Sequence, residues 1–150
     1  NRVAVPMESI PDAERLEVLD LSFNPIGDLE GIDDAESLVE LILDNCDLLG
    51  PFPEELLELY DLERLSINNN KIKGEIPEDI DDLESLEILS LDDNELTGAI
   101  PPSLSGLLEL RTLSLSGNKF EGAIPDFLNT MTSLEVIDLS HQLGKQPKKG

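Results

Sequence analysis

The sequence predicts an α/β solenoid, with a curved parallel sheet on its concave face and short helical or extended segments on its convex face. Three observations carry that expectation. A phrase of 24 residues repeats from Leu38 to Ser133; read from Leu62 it runs Leu62, Leu65, Ile67, Asn70, Ile72, Gly74, Ile76, Pro77, Ile80 and Leu83. The copies from Leu86 and Leu110 place the same kinds of residue at the same offsets, through Asn94, Gly98 and Pro101 in one and Asn118, Gly122 and Pro125 in the other. Within each copy the fourth and sixth positions are Leu or Ile between mostly polar neighbours, the period of a strand with one buried face. Beyond them, Gly and Pro recur where a regular helix cannot run.

The elements follow in chain order. Residues 1–15 are expected to form an N-terminal cap or degenerate repeat, with Val3, Ala4, Val5 and Met7 as a capping strand and Ile10 and Pro11 as a worn half-unit. A first coil needs such a cover, because each coil buries its face only against a neighbour. The solenoid occupies residues 16–143: a first coil of 22 residues from Leu16 to Ser37, four coils starting at Leu38, Leu62, Leu86 and Leu110, and a sixth begun by Leu134, Ile137 and Leu139. Strands are expected at 18–20, 40–42, 64–66, 88–90, 112–114 and 136–138, all parallel and about 4.8 Å apart. Leu89 and Leu91 should then point inward and Ser90 outward.

Position nine of the coils holds Asn24, Asn70, Asn94 and Asn118, where the chain turns out of the strand. A buried turn leaves backbone groups without water, and an amide side chain can both donate and accept to satisfy them. Cys46 fills this column in coil two. It reads as a small buried turn residue; the alternative, a reactive thiol, lacks a neighbouring cation or histidine to lower its pKa. Gly50, Gly74, Gly98 and Gly122 are followed three residues later by Pro53, Pro77, Pro101 and Pro125. Each proline biases the residue before it to an extended shape, so a second short extended segment is expected after the glycine, then one turn of helix. After Ser140, the run His141, Gln142, Leu143 and Gly144 falls out of phase, and residues 144–150 read as a basic tail.

The L-x-x-L-x-L-x-x-N-x-L core closed by G-x-I-P resembles the plant-type leucine-rich repeat of receptor-kinase ectodomains and polygalacturonase-inhibiting proteins, over about two thirds of the chain. The first coil, in phase at Leu16, Leu19, Leu21, Asn24, Ile26, Leu29, Ile32 and Ala35 but lacking Ile-Pro, resembles the shorter repeats of phosphatase regulatory subunits and bacterial internalins. The plant-type resemblance implies an extracellular or cell-surface setting, with a cytoplasmic one as the alternative.

Composition narrows the chemistry. Residues 1–100 carry 28 Asp and Glu against 5 Lys and Arg, whereas residues 101–150 carry 5 of each. Nucleic acid is not an expected partner, since binding it requires neutralising phosphates. No run of 18 apolar residues occurs, so no transmembrane segment is expected. One Cys allows no intrachain disulfide. Neither G-x-x-x-x-G-K-[ST] nor H-E-x-x-H is present. Cys46 and His141 lie four coils apart, too far to act as a nucleophile and base. A glycosidase-like carboxylate pair would need a pocket to perturb it, and a ridged repeat surface offers none obvious. The expectation is therefore no enzyme, no cofactor and no metal.

A binding face is better supported. The strand positions flanking the buried leucines stack into columns on the concave side. They give a partner-binding set of Phe23, Glu40, Ile42, Asp44, Asn45, Arg64, Asn68, Asn69, Ile88, Asp92 and Asp93. Among these, Asp44, Asn45, Asn68, Asn69, Asp92 and Asp93 form a contiguous acid and amide patch over three coils. Such residues also serve turns by mimicking backbone hydrogen bonds. The other readings are recognition of a Lys- or Arg-bearing ligand or a sugar, and a Ca²⁺ site, which would need 6–8 converging oxygens. The expected function is a non-enzymatic recognition module for a protein or peptide, with a basic one suggested by the charge. The alternatives are a structural or adhesion fragment of a longer array, and an inhibitor of a secreted polysaccharide-degrading enzyme.

Overall fold

Leu19, Leu41, Leu65, Leu89, Leu113 and Ile137 stand in one row, each opposite the next across a parallel ladder. The computed structural model describes residues 15–144. The expected N-terminal cap and basic tail lie almost wholly outside the described residues. Six strands make the main sheet: β1 (Val18–Asp20), β2 (Glu40–Ile42), β4 (Arg64–Ser66), β6 (Ile88–Ser90), β8 (Thr112–Ser114) and β9 (Val136–Asp138), in the order β1-β2-β4-β6-β8-β9. These are the bounds the alternation predicts. The row of leucines is sealed in the middle of the stack, with Leu41, Leu65, Leu89 and Leu113 all at 0% exposure. Fully burying each such side chain is worth about 1.5–3 kcal/mol.

A second parallel sheet, of three strands, runs along the solenoid: β3 (Leu49–Gly50), β5 (Lys71–Gly74) and β7 (Glu95–Leu96). The sequence places this extended segment after the glycine; it lies before it. Gly50 and Gly74 end β3 and β5 with φ of 96° and 86°, and these angles turn the chain out of the ladder instead of starting a new one. The prolines then hold the backbone extended, with ψ between 113° and 148°. One five-residue 3-10 turn follows each: Glu54–Glu58, Glu78–Asp82, Pro102–Gly106 and Asp126–Thr130. The shorter first coil has only a three-residue turn, Ile32–Asp34, and contributes no strand to the second sheet. Each turn drops one or two aliphatic residues into the core, such as Leu56 and Leu57 or Ile80.

The asparagine column closes the core. Asn70 is 7% exposed; its Oδ1 accepts from the backbone N–H of Cys46 and Leu48, both at 3.0 Å, and its Nδ2 donates to the carbonyls of Leu43, Ile67 and Asn68. Asn94 and Asn118 repeat the pattern one and two coils on. The column does not stop at Ser140. Gln142 stands at position nine of the sixth coil, accepts from Phe120 N at 3.2 Å and donates to Leu115 O at 2.7 Å. The phase therefore holds two residues further than the aliphatic pattern shows, because a longer amide does the same work. Cys46 donates its thiol to Leu21 O at 3.2 Å instead. Burial, foremost, pushes that thiol from 9.0 up to about 11, so the structural reading of Cys46 stands.

Candidate functional site

The solvent face of the main sheet carries a second ladder, at positions five and seven of the coils. Asp44 Oδ1 accepts from Ser66 Oγ at 2.8 Å and from Asn68 N at 2.7 Å, both on the next coil. Asn68 Oδ1 accepts in the same way from Ser90 Oγ and Asp92 N, and Asp92 Oδ1 from Ser114 Oγ and Ser116 N. Three of the residues expected to bind a partner are thus also the acceptors that clamp one coil to the next. Ser90, expected to face outward, is a donor in this ladder. The signal was present in the sequence as Ser-x-Asn at 66–68 and Ser-x-Asp at 90–92, repeating in register.

At the two ends the ladder turns inward on its own coil. Asp20 Oδ1 accepts from Ser22 Oγ and Ser22 N, and these bonds hold its carboxyl below the ordinary 3.8. Asp138 accepts from Ser140 N at 2.9 Å, and its pKa is lowered by that bond first. Position seven is serine in both end coils; Ser140 Oγ shares a hydroxyl bond of 2.9 Å with Ser116 Oγ on the coil before it, in place of the two bonds that Asp44 accepts from the coil after it.

Position eight is a column of left-handed backbone. Asn45, Asn69 and Asp93 have φ of 57°, 56° and 53°, and Gly117 has 68°. Asn, Asp and Gly are the residues that adopt this conformation at least cost, which accounts for the second half of the acid and amide patch. Phe23 departs from this rule. It holds φ 63° with its ring 79% exposed, where every covered coil has Asn, Asp or Gly.

The remaining candidates sit on the same face. Glu40 and Arg64 are paired across β2 and β4 at 3.4 Å. Ile42 and Ile88 are partly exposed between polar neighbours, and Asn45, Asn69 and Asp93 are exposed. Arg111 extends the charged edge by pairing with Glu87 and Glu135, each at 3.3 Å. Such exposed pairs fix geometry more than they add stability, at about 0–1 kcal/mol each. Among the described residues no group of His, Cys, Asp and Glu could hold a metal ion, and no helix is long and apolar enough to cross a membrane.

A leucine-rich-repeat family model matches residues 37–96 and 62–120, and a second leucine-rich-repeat model matches residues 16–29. The chain belongs to the leucine-rich-repeat family. Solved structures similar to this leucine-rich-repeat protein include PEPR1–AtPEP1, at 33% identity and TM-score 0.78 over 86% of this chain and 18% of that one. The Arabidopsis receptor kinase HAESA, in complex with the peptide hormone IDA and the co-receptor SERK1, is 33% identical, with TM-score 0.77, over 83% of this chain and 22% of HAESA. A plant ice-binding protein matches at 29% identity and TM-score 0.73, over 81% of this chain and 41% of its own. The repeats are therefore of the plant type, and the chain spans about a fifth of the length of the matched PEPR1 and HAESA chains. No curated protein sequence matches it.

Proposed function

We propose that this leucine-rich-repeat protein is a non-enzymatic recognition module that binds a protein or peptide through the concave, solvent-facing side of its main sheet, across coils two to four. The observation that carries this reading is the order of that face. Glu40, Arg64, Asp44, Asn68 and Asp92 are held by ion pair and hydrogen bonds in one strip along the stack. A surface whose side chains are already fixed loses little conformational entropy when a ligand docks. The similarity to HAESA, whose structure contains a peptide hormone, supports a peptide as the ligand. It also supports an extracellular or cell-surface setting. The net charge of −23 favours a basic ligand, whose attraction weakens as salt shortens the Debye length from about 10 Å at 0.1 M to about 3 Å at 1 M.

The test uses charge removal without loss of the ladder. Asp44→Asn, Asp92→Asn and Asp93→Asn together leave an acceptor at each site, as Asn68 does naturally. Calorimetric titration with a lysine-rich decapeptide should show binding weakened about tenfold or more by this triple. The convex triple Glu78→Gln, Asp79→Asn and Asp82→Asn should leave it unchanged. The reverse pattern sinks the proposal.

A further inference from the structure

The second sheet has a bare edge, and it arises where the chain changes repeat type. The sheet order is β3-β5-β7, with β3 outermost because the shorter first coil supplies no strand beside it. Lys71 stands opposite Leu49 in the register, and its N–H goes to the carbonyl of Leu48 at 2.9 Å. In a parallel ladder the residue directly opposite a bonded one turns its own N–H and C=O the other way. Leu49 therefore presents its backbone to the side where the first coil's strand is missing. That side is a cavity of about 310 Å³.

The side chain at this edge is also unusual. Position twelve of the later coils carries Lys73, Thr97 and Glu121, whereas the edge carries Leu49, 71% exposed. Proteins commonly blunt a free strand edge with charge; here the polar residues lie away from the edge and the apolar one lies on it. Leu29, Leu49 and Phe52 line the cavity together with the carboxylates of Asp28, Glu54 and Glu55. An extended chain adding to a sheet edge sends alternate side chains to opposite sides, so one side can meet the apolar residues and the other the acids.

We infer that this edge is a second binding site, distinct from the concave face, which takes an extended peptide segment of alternating aliphatic and basic residues by adding it as a fourth strand beside β3. Main-chain hydrogen bonds to Leu49 supply the affinity, and the cavity and its carboxylates supply the selectivity.

The probe is a labelled, end-blocked hexapeptide of alternating valine and lysine, titrated against the full chain by fluorescence anisotropy. Saturable binding is expected, weakened about tenfold or more by Leu49→Lys and by the Glu54→Gln, Glu55→Gln double variant. Glu78→Gln with Asp79→Asn should change it by less than about twofold. A hexapeptide N-methylated at alternate amides along its pairing edge should also lose about tenfold, because strand addition requires those donors. Thermal unfolding checks that each variant is folded, and the N-methylated peptide tests the site on the unaltered protein. The inference is overturned by binding that ignores N-methylation, by binding lost in the Glu78→Gln, Asp79→Asn variant but not in Leu49→Lys, or by no saturation up to about 1 mM. A Leu49-dependent dimer that excludes the peptide overturns it as well, in favour of a second copy on this edge.

Discussion

Coils four and six are written in the same phrase, yet Leu89 in coil four is sealed at 0% exposure while its counterpart Ile137 in coil six is 44% exposed. Leu89 lies between β4 and β8, and Ile137 has β8 on one side and no strand on the other among the described residues. The apolar residue does not bury itself; the next coil buries it. The amide column differs less, because its partners lie on its own coil and the one before: Asn94 takes three carbonyls and a backbone N–H, and Gln142 two carbonyls and a backbone N–H. Stability in this stack belongs to the interfaces between coils.

The largest contrast is therefore between core truncations. Leu89→Ala should cost about 2–5 kcal/mol in a urea titration, and Ile137→Ala about 1 kcal/mol or less. Equal costs would return the credit to the coil's own sequence. Next comes the amide column, where Asn94→Ala should cost about 3 kcal/mol by leaving buried backbone groups unpaired. Faster hydrogen exchange at Ile72 should accompany it; Gln142→Ala should cost about 1 kcal/mol. Ser90→Ala removes one ladder bond and should cost about 1 kcal/mol, against less than about 0.5 kcal/mol for Ser140→Ala at the end coil.

Two titrations give smaller effects. Cys46 is protonated in the folded state up to about 11, against 9.0 ordinarily. Its contribution is therefore full below pH 9 and is lost as pH rises from there toward 11. At pH 8 an alkylating reagent should label Cys46 in urea but not in the native protein. Glu95 is held below its ordinary 4.5 by the hydrogen bond from Lys119 at 2.7 Å. Its small contribution is present above the ordinary value and fades as pH falls through the lowered one. Lys119→Ala should move the Glu95 titration upward by NMR.

The main sheet was legible to the residue because Leu-x-Leu sets both the strand and the buried face, and one face repeated in phase admits one register. The second sheet was misplaced by a few residues. Gly-x-x-Pro marks a bend, but whether the extended stretch lies before or after it depends on the partner strand in the next coil. The acid and amide patch was legible as a column but not as a ladder. Asp44 reaches Ser66 and Asn68, 22 and 24 positions on, and no single copy of the phrase contains both ends of that bond. Gln142 was missed because the aliphatic pattern fades before it, although it holds the expected offset for an amide. Leu49 is hidden for the opposite reason: a leucine in a leucine-rich chain is conspicuous only against the polar residues of its column.

The two ladders point in opposite directions along the chain. Carboxylate and amide acceptors at position seven serve the coil that follows, as Asp44 serves Ser66 and Asn68; amides at position nine serve the coil that came before, as Asn70 serves Cys46 and Leu48. For a chain emerging from a ribosome, a new coil meets acceptors that are already in place, but its own backbone is completed only when the following coil delivers its amide. Each coil of this stack is thus completed by the one after it, so a growing stack carries one open turn at its end.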